Sequence, residues 1–331
     1  MRLLTSFSGV LSMPAEHSGA LRMKDMPDEG CTMFSALDGP LYNRLHQLTR
    51  TEISDSCLNS RVAWNAGFNY RKVLLEGSLC LISDGGVFTT PHLTWPIGEL
   101  DRDGLKRIVD TLWPVFAARQ WPFRLMYIDE DNLDLVRDMP GYRAKLAYDP
   151  DFDDYLYDAE ELRQLSGKSL HGKRNYLNRF CRIYPGFEYR PIVREDREEA
   201  LFLVKSWCDE KGLDCLNFCI SDYRAIRQVF DDFASLDLRG GSIRIGGKMT
   251  AFALGSLMNA DTAVIHFEKA DAKYDGVYAA INKFVLDYAF PEARMVNREE
   301  DMGLRNLRKA KESYSPIRMI HKYEAWLQKT D

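Results

Sequence analysis

The sequence predicts an α/β (α+β) protein built from two tandem modules, each a mixed central sheet flanked by helices. Three observations lead there. Residues 70–148 run strand, strand, strand, helix, strand, helix, strand, and residues 242–327 repeat the same order. A chain of 331 residues is long enough to bury two cores. Glycine turns at Gly77 and at Gly246-Gly247 each stand between β-rich runs, as tight hairpins require. The division that follows is 1–34 as a disordered leader or non-native start, 35–150 as the first module and 151–331 as the second.

In the first module, 70–76 and 78–83 read as paired strands and 88–96 as a third. Leu105, Ile108, Val109, Leu112 and Phe116 fall on one face of a helix over 101–118. A buried strand at 123–128, a short helix at 130–138 and a closing strand at 142–148 complete it.

The second module opens on a predicted helix over 158–184, with Asp158 and Glu161 as a capping box and Pro185-Gly186 as the stop. Leu170, Tyr176, Leu177, Phe180, Cys181 and Tyr184 share one side of it, while Lys168, His171, Asn175, Asn178, Arg179 and Arg182 share the other. Lys173 falls inside the apolar side and Arg174 at its edge. Burying a lysine there is costly unless an anion or carboxylate pairs with it, although its stem can also pack while the amine reaches solvent. Next come a helix at 196–211 with Asp196 and Glu199 as a second capping box, a helix at 221–233, the hairpin 242–257 and a strand at 262–268. A helix at 276–290, a strand at 293–297, a helix at 304–313 and one last strand at 317–327 follow.

Composition excludes several classes. The net charge of −5 rules out a general nucleic-acid coat, yet cations are concentrated: 163–194 holds eight basic residues against Glu188 alone, and 303–322 holds six against Glu312. Such islands in an acidic chain imply a local anion site. No apolar run approaches the roughly 20 residues a membrane helix needs, so stable membrane anchoring is not expected. The seven cysteines are odd in number and lack any C-x-x-C pair, as in a cytoplasmic protein with reduced thiols. Cys215, Cys219 and His266 match no zinc spacing, and no metal is expected.

The order of elements in each half resembles the GCN5-related N-acetyltransferase (GNAT) fold. Four stretches carry a closer resemblance: Tyr155-Leu-Tyr157-Asp158, the Gly167-Lys168 to Phe180 run, His266-Phe-Glu268-Lys-Ala-Asp271, and Val296-Asn297-Arg298-Glu299 through Tyr314-Ser-Pro316. These are similar to a bacterial family related to the C-terminal domain of phosphatidylglycerol lysyltransferase and, more distantly, to Fem-type peptidyltransferases. The resemblance spans roughly residues 35–328. It implies a tandem GNAT-like fold and transfer of an acyl or aminoacyl group, with acyl-CoA or aminoacyl-tRNA as cosubstrate and no permanently bound cofactor. It also implies a phosphate-cradling loop at Lys273-Tyr-Asp275-Gly276-Val-Tyr278. There one glycine of the pattern remains, a tyrosine stands in place of the last small residue, and Asp275 would repel a phosphate. GNAT enzymes often place a tyrosine as general acid in the region where Tyr314 lies; core packing is the competing reading.

His266 and Glu268, two apart on a strand, are expected on one face. Glu268 would take a proton from an attacking amine with His266 as its partner, or else simply pair with Lys173 or Arg298. Asn297 and Arg298 end a strand at the edge where α/β sheets bind ligands. With Lys168, Lys173, Arg174, Asn175, Arg308 and Lys309 they form the expected donor and anion site, and Glu268, His266 and Tyr314 the expected catalytic set. Two function classes follow. One is a cytoplasmic transferase taking a small anionic or nucleotide-linked donor, tRNA included, and acylating an amine or hydroxyl. The other is a non-catalytic tandem module binding a phosphorylated, nucleotide-like or anionic lipid headgroup ligand.

Overall fold

The computed structural model describes residues 31–210, 212 and 221–330. The expected leader up to residue 30, Lys211, Cys215 and Cys219 lie outside the described residues. In the first part of the chain the elements are β1 (Thr32–Met33), α1 (Gly39–Thr49), α2 (Leu58–Phe68), β2 (Arg71–Leu75), β3 (Ser78–Ser83), β4 (His92–Thr94), α3 (Arg102–Ala118), β5 (Phe123–Ile128), α4 (Leu133–Arg137) and β6 (Tyr142–Tyr148). Residues 31–34, expected in the leader, are folded: β1 pairs with β2, and Phe34 is buried. The sequence reading missed α1 and α2, whose apolar faces are less regular than that of α3.

The second part holds β7 (Asp154–Asp158), α5 (Ala159–Gln164), α6 (His171–Ile183), β8 (Glu188–Pro191), α7 (Arg197–Glu210), α8 (Asp222–Asp231), β9 (Arg239–Ile245), β10 (Lys248–Leu257), β11 (Thr262–Ala270), α9 (Val277–Tyr288), β12 (Met295–Asn297), α10 (Arg305–Glu312), β13 (Arg318–Ile320) and β14 (Tyr323–Lys329). The helix expected over 158–184 is two helices. Asp158 does cap the first by accepting from the Glu161 amide at 2.8 Å, but Leu165 (φ 48°) and Gly167 (φ 76°) turn the chain before α6 begins. Lys168 therefore sits in a turn. The second expected capping box is also absent: the Asp196 carboxylate accepts from the Val193 amide, and Asp196 and Glu199 both pair with the buried Arg244.

Among the described residues the strands form two mixed seven-stranded sheets, in the orders β1-β2-β3-β4-β5-β14-β6 and β13-β7-β12-β11-β10-β9-β8. The last strand was expected whole and in the second module. It is instead split at His321-Lys322: β13 pairs with β7 of the second sheet, while β14 inserts between β5 and β6 of the first.

One apolar core lies between the sheets, where Val62 and Ala63 of α2 meet Val204 of α7, Phe230 of α8, and Phe252 and Phe267 of the second sheet. A second fills the far face of that sheet under α5, α6 and α9, and a third lies under α3. Each large side chain buried there contributes about 2 kcal/mol. Where the sheets join, the Lys322 ammonium lies 2.6 Å from Asp55, 2.6 Å from Asp154 and 2.9 Å from Glu300. Burial works against that charge, but the three carboxylates outweigh it and hold the lysine well above its usual range. The ammonium thus occupies the centre of a carboxylate trio that would otherwise suit a metal ion.

Candidate functional site

The site forms where two parallel strands part. β11 and β12 pair from Thr262↔Met295 to Val264↔Asn297 and no further. Beyond that point the chain leaving β12 keeps its bonds to β7, through the Arg298 amide on the Tyr155 carbonyl and the Tyr155 amide on the Glu299 carbonyl. On the other side β11 bulges: Leu254↔Phe267 is followed by Gly255↔Ile265, which leaves His266 without a partner in the ladder. The extra residue reverses the alternation, so His266 and Phe267 face α2 while Ile265 and Glu268 face α9. The expectation that His266 and Glu268 share a face is therefore corrected. No sequence rule flags a bulge that exists only through its pairing with β10.

Side chains bridge the parted strands on both faces. Toward α2, His266 Nδ1 lies 2.9 Å from Glu299 Oε1 and 3.3 Å from Ser60 Oγ, and its Nε2 lies 2.8 Å from Ser256 Oγ. Burial raises the Glu299 carboxyl above its usual range, partly offset by the imidazole. Toward α9, Arg298 Nη2 donates to Glu268 Oε2 at 3.1 Å, and Asn282 Nδ2 of α9 donates to the same oxygen at 3.0 Å.

That second face is the candidate site. Lys173 of α6 places its amine 4.0 Å from the centre of the Tyr314 ring, and the Arg298 guanidinium lies 4.9 Å from the same ring and 5.8 Å from that of Tyr157. Two cations thus share one tyrosine while a single carboxylate, Glu268, engages only the arginine. Burial, then the charge of Arg298, pull the Lys173 amine below its usual range, with Glu268 opposing. Burial pushes the Tyr314 hydroxyl up, which keeps it protonated. Two buried polar atoms here lack any partner among the described residues: Arg298 Nη1, a donor, and Asn282 Oδ1, an acceptor. A ligand offering an anionic or carbonyl oxygen beside an N–H or O–H would satisfy both.

The neighbouring turn adds cations. Gly167, Lys168, His171 and Arg174 line an open cleft of about 490 Å³, and Arg174 Nη1 is anchored on the Leu165 carbonyl at 2.5 Å. Asn175 is exposed, 3.3 Å from His171. The remaining expected residues lie apart. Asn297 is buried, donating to Asp154 and to the Glu52 carbonyl, both at 3.0 Å. Arg308 is held by Asp301 at 2.8 Å and Asp151 at 2.6 Å, and Lys309 points to solvent on α10.

Sequence similarity converges on the same parts of the chain. The family model for the C-terminal region of phosphatidylglycerol lysyltransferase matches residues 70–326. The chain belongs to that family. It is 28% identical to a conserved protein of unknown function from Bacteroides thetaiotaomicron, with a TM-score of 0.82 covering 89% of this chain and 98% of that one. The fold is shared with L-PGS from Bacillus licheniformis (TM-score 0.58, 14% identity, 87% and 91% coverage) and with FemX (TM-score 0.60, 8% identity, 86% and 95% coverage). An uncharacterized protein of Mycoplasmoides gallisepticum is 27% identical over 171 residues, which is 51% of this chain; the match spans about half, 54%, of that relative.

Within this lysyltransferase C-terminal family member, the polar side chains of the loop where a GNAT enzyme would hold pyrophosphate are engaged by neighbours. Asp275 pairs with Arg179 at 2.6 Å, Lys273 pairs with Glu210 at 2.6 Å, and Gly276 lies so near α6 that a Cβ would come within 2.3 Å of the Tyr176 carbonyl oxygen. Among the described residues no helix is long and apolar enough to cross a membrane. The sequence reading overlooked Asn282 and gave Tyr157 no role in the site. Asn282 was visible as a lone amide in the apolar Val277–Tyr288 helix; Tyr157 stands in a stretch that carries the family resemblance, but nothing in its spacing points to the site.

Proposed function

We propose that this protein is a cytoplasmic transferase that moves an acyl or aminoacyl group from a CoA- or tRNA-linked donor to an amine or hydroxyl, reacting in the Lys173–Glu268–Arg298–Tyr314 cluster. Its family membership and the fold it shares with FemX support the reaction class. The observation that supports this place is the unmet hydrogen-bonding capacity of Arg298 Nη1 and Asn282 Oδ1 beside an amine that has no ion-pair partner among the described residues. In this reading Lys173 and Arg298 take the carbonyl oxygen on which charge develops, as preorganised donors do in acyl transfer. The Lys168–Arg174 cleft takes the anionic remainder of the donor. Glu268 accepts the proton of the attacking group, and Tyr314 returns one to the leaving group. The acidic Asp275 beside Gly276 favours a donor that does not need pyrophosphate cradled there, such as an aminoacyl-tRNA.

A second reading, a non-catalytic module binding a phosphorylated, nucleotide-like or anionic lipid headgroup ligand, is favoured by one observation: Glu268 is already engaged by Arg298 and Asn282. A transfer assay pairing acetyl-CoA, longer acyl-CoAs and aminoacyl-tRNAs with an amine panel separates the two. Turnover that Glu268→Gln abolishes, while donor binding survives, supports the transferase. A donor that binds but is never transferred to any acceptor supports the binding module.

A further inference from the structure

The segment Arg298-Glu299-Glu300 is held from beneath by one buried amine. Lys311 of α10, only 8% exposed, donates to the carbonyl oxygens of all three residues, at 2.5, 2.8 and 2.5 Å. Three successive carbonyls converge on a point only where the backbone turns sharply, and Glu299 at the middle has φ 58°. That left-handed conformation is unfavourable for a non-glycine residue, so the ammonium stabilises a kink the chain would otherwise avoid. The kink sends Arg298 to Glu268 on one face and Glu299 to His266 on the other. The backbone of the same lysine fixes the two rings beside the guanidinium: its carbonyl accepts from the Tyr157 hydroxyl at 2.9 Å and from the Tyr314 amide at 3.1 Å. Among the described residues no carboxylate lies within ion-pair distance of Lys311. Its hydrogen bonds go to the three carbonyls instead.

We propose that Lys311 is the positioning residue of the candidate site, acting through the Arg298–Glu300 carbonyls to aim the Arg298 guanidinium at the reacting group. The role in turnover rests on the transferase reading; the role in fixing the segment does not. The test therefore has two arms, using Lys311→Met, which removes the donors, and Lys311→Gln, which keeps two N–H groups in a smaller side chain.

In the first arm, hydrogen exchange of peptides covering residues 297–304 is followed without any donor. Lys311→Met should exchange about tenfold faster or more, the loss expected for a hydrogen bond from a charged group, with Lys311→Gln intermediate and the β9–β10 peptides unchanged. In the second arm, kcat should fall about tenfold in Lys311→Met with KM nearly unchanged, recover in part in Lys311→Gln, and fall little further when Lys311→Met is added to Arg298→Gln, as sites acting through one another do. Wild-type exchange at 297–304 in a folded Lys311→Met protein overturns the proposal, as does full additivity with Arg298→Gln. Faster exchange in a protein that transfers nothing leaves the positioning role standing and removes the transferase reading. If Lys311→Met does not fold, Lys311→Gln carries both arms by the same criteria.

Discussion

Lys173 could be singled out from sequence because it breaks an apolar stripe, and the structure gives that anomaly a location: its amine lies on Tyr314, beside Arg298. Arg308 carried the same compositional signal and lies in an ion pair instead, because charge alone does not reveal which carboxylate a fold brings near. Lys173→Met should therefore weaken donor binding about tenfold or more, while Lys309→Met, on the exposed face of α10, should change it less than twofold, since isolated surface charges contribute little. Binding titrations on the two variants check this.

Lys311 gives the pH dependence at this scale. Burial, aided by repulsion from Arg298, pulls its amine down to about 8, while Glu300, Glu299 and Asp154 oppose the shift. The unfolded chain keeps its proton up to about 10.4, so between those values the unfolded state binds more protons and stability rises with pH. Below about 8 the cost of the buried charge is fully present. Denaturant unfolding of wild type and Lys311→Met at pH 7 and pH 10 should show wild type gaining on the variant, by up to roughly 3 kcal/mol. Transfer should move the other way, since the neutral amine has one donor fewer. A pH-independent difference in stability between the two proteins would contradict this account.

At the scale of elements, the hairpin of β9 and β10 was legible because two adjacent glycines both with positive φ leave little choice of turn. The break before α6 was harder. Its apolar spacing continues across Ser166-Gly167, and only the left-handed Leu165 and Gly167 show that the period is coincidental. The bulge at His266 was invisible, since strand register depends on the partner. It nevertheless decides the composition of the candidate site, by giving Glu268 to the α9 face and His266 to the α2 face. The approach of α6 to the start of α9 is equally demanding. Gly276→Ala would place a methyl 2.3 Å from a carbonyl oxygen at φ 84°, and should destabilise the protein by about 2 kcal/mol or more, measured by thermal or denaturant unfolding.

Across the whole molecule, two repeated strand and helix orders correctly announced two sheets, because local periodicity reports local structure. What the order could not announce is the return of β14 to the first sheet, a pairing of Tyr323–Lys329 with Phe123–Ile128 and Tyr142–Tyr148 across more than half the chain. Together with the core shared by α2, α7 and α8, that return makes the halves one cooperative body. Lys322, at the crossing, is its electrostatic pin. Lys322→Met should cost about 3–5 kcal/mol by leaving the buried Asp154 and the half-buried Asp55 and Glu300 without their cation, and calorimetry of wild type should show one unfolding transition where independent modules would give two.

The central claim is that Lys173 and Arg298, brought together from α6 and from the end of β12, jointly hold the reacting group of an anionic donor. Titration of aminoacyl-tRNA and acyl-CoA into wild type, Lys173→Met, Arg298→Gln and the double variant measures this directly. The account predicts that one donor class binds wild type, that each single variant loses about tenfold or more, and that the double variant loses less than the sum of the two losses. Binding of that donor with wild-type affinity by both single variants would contradict it.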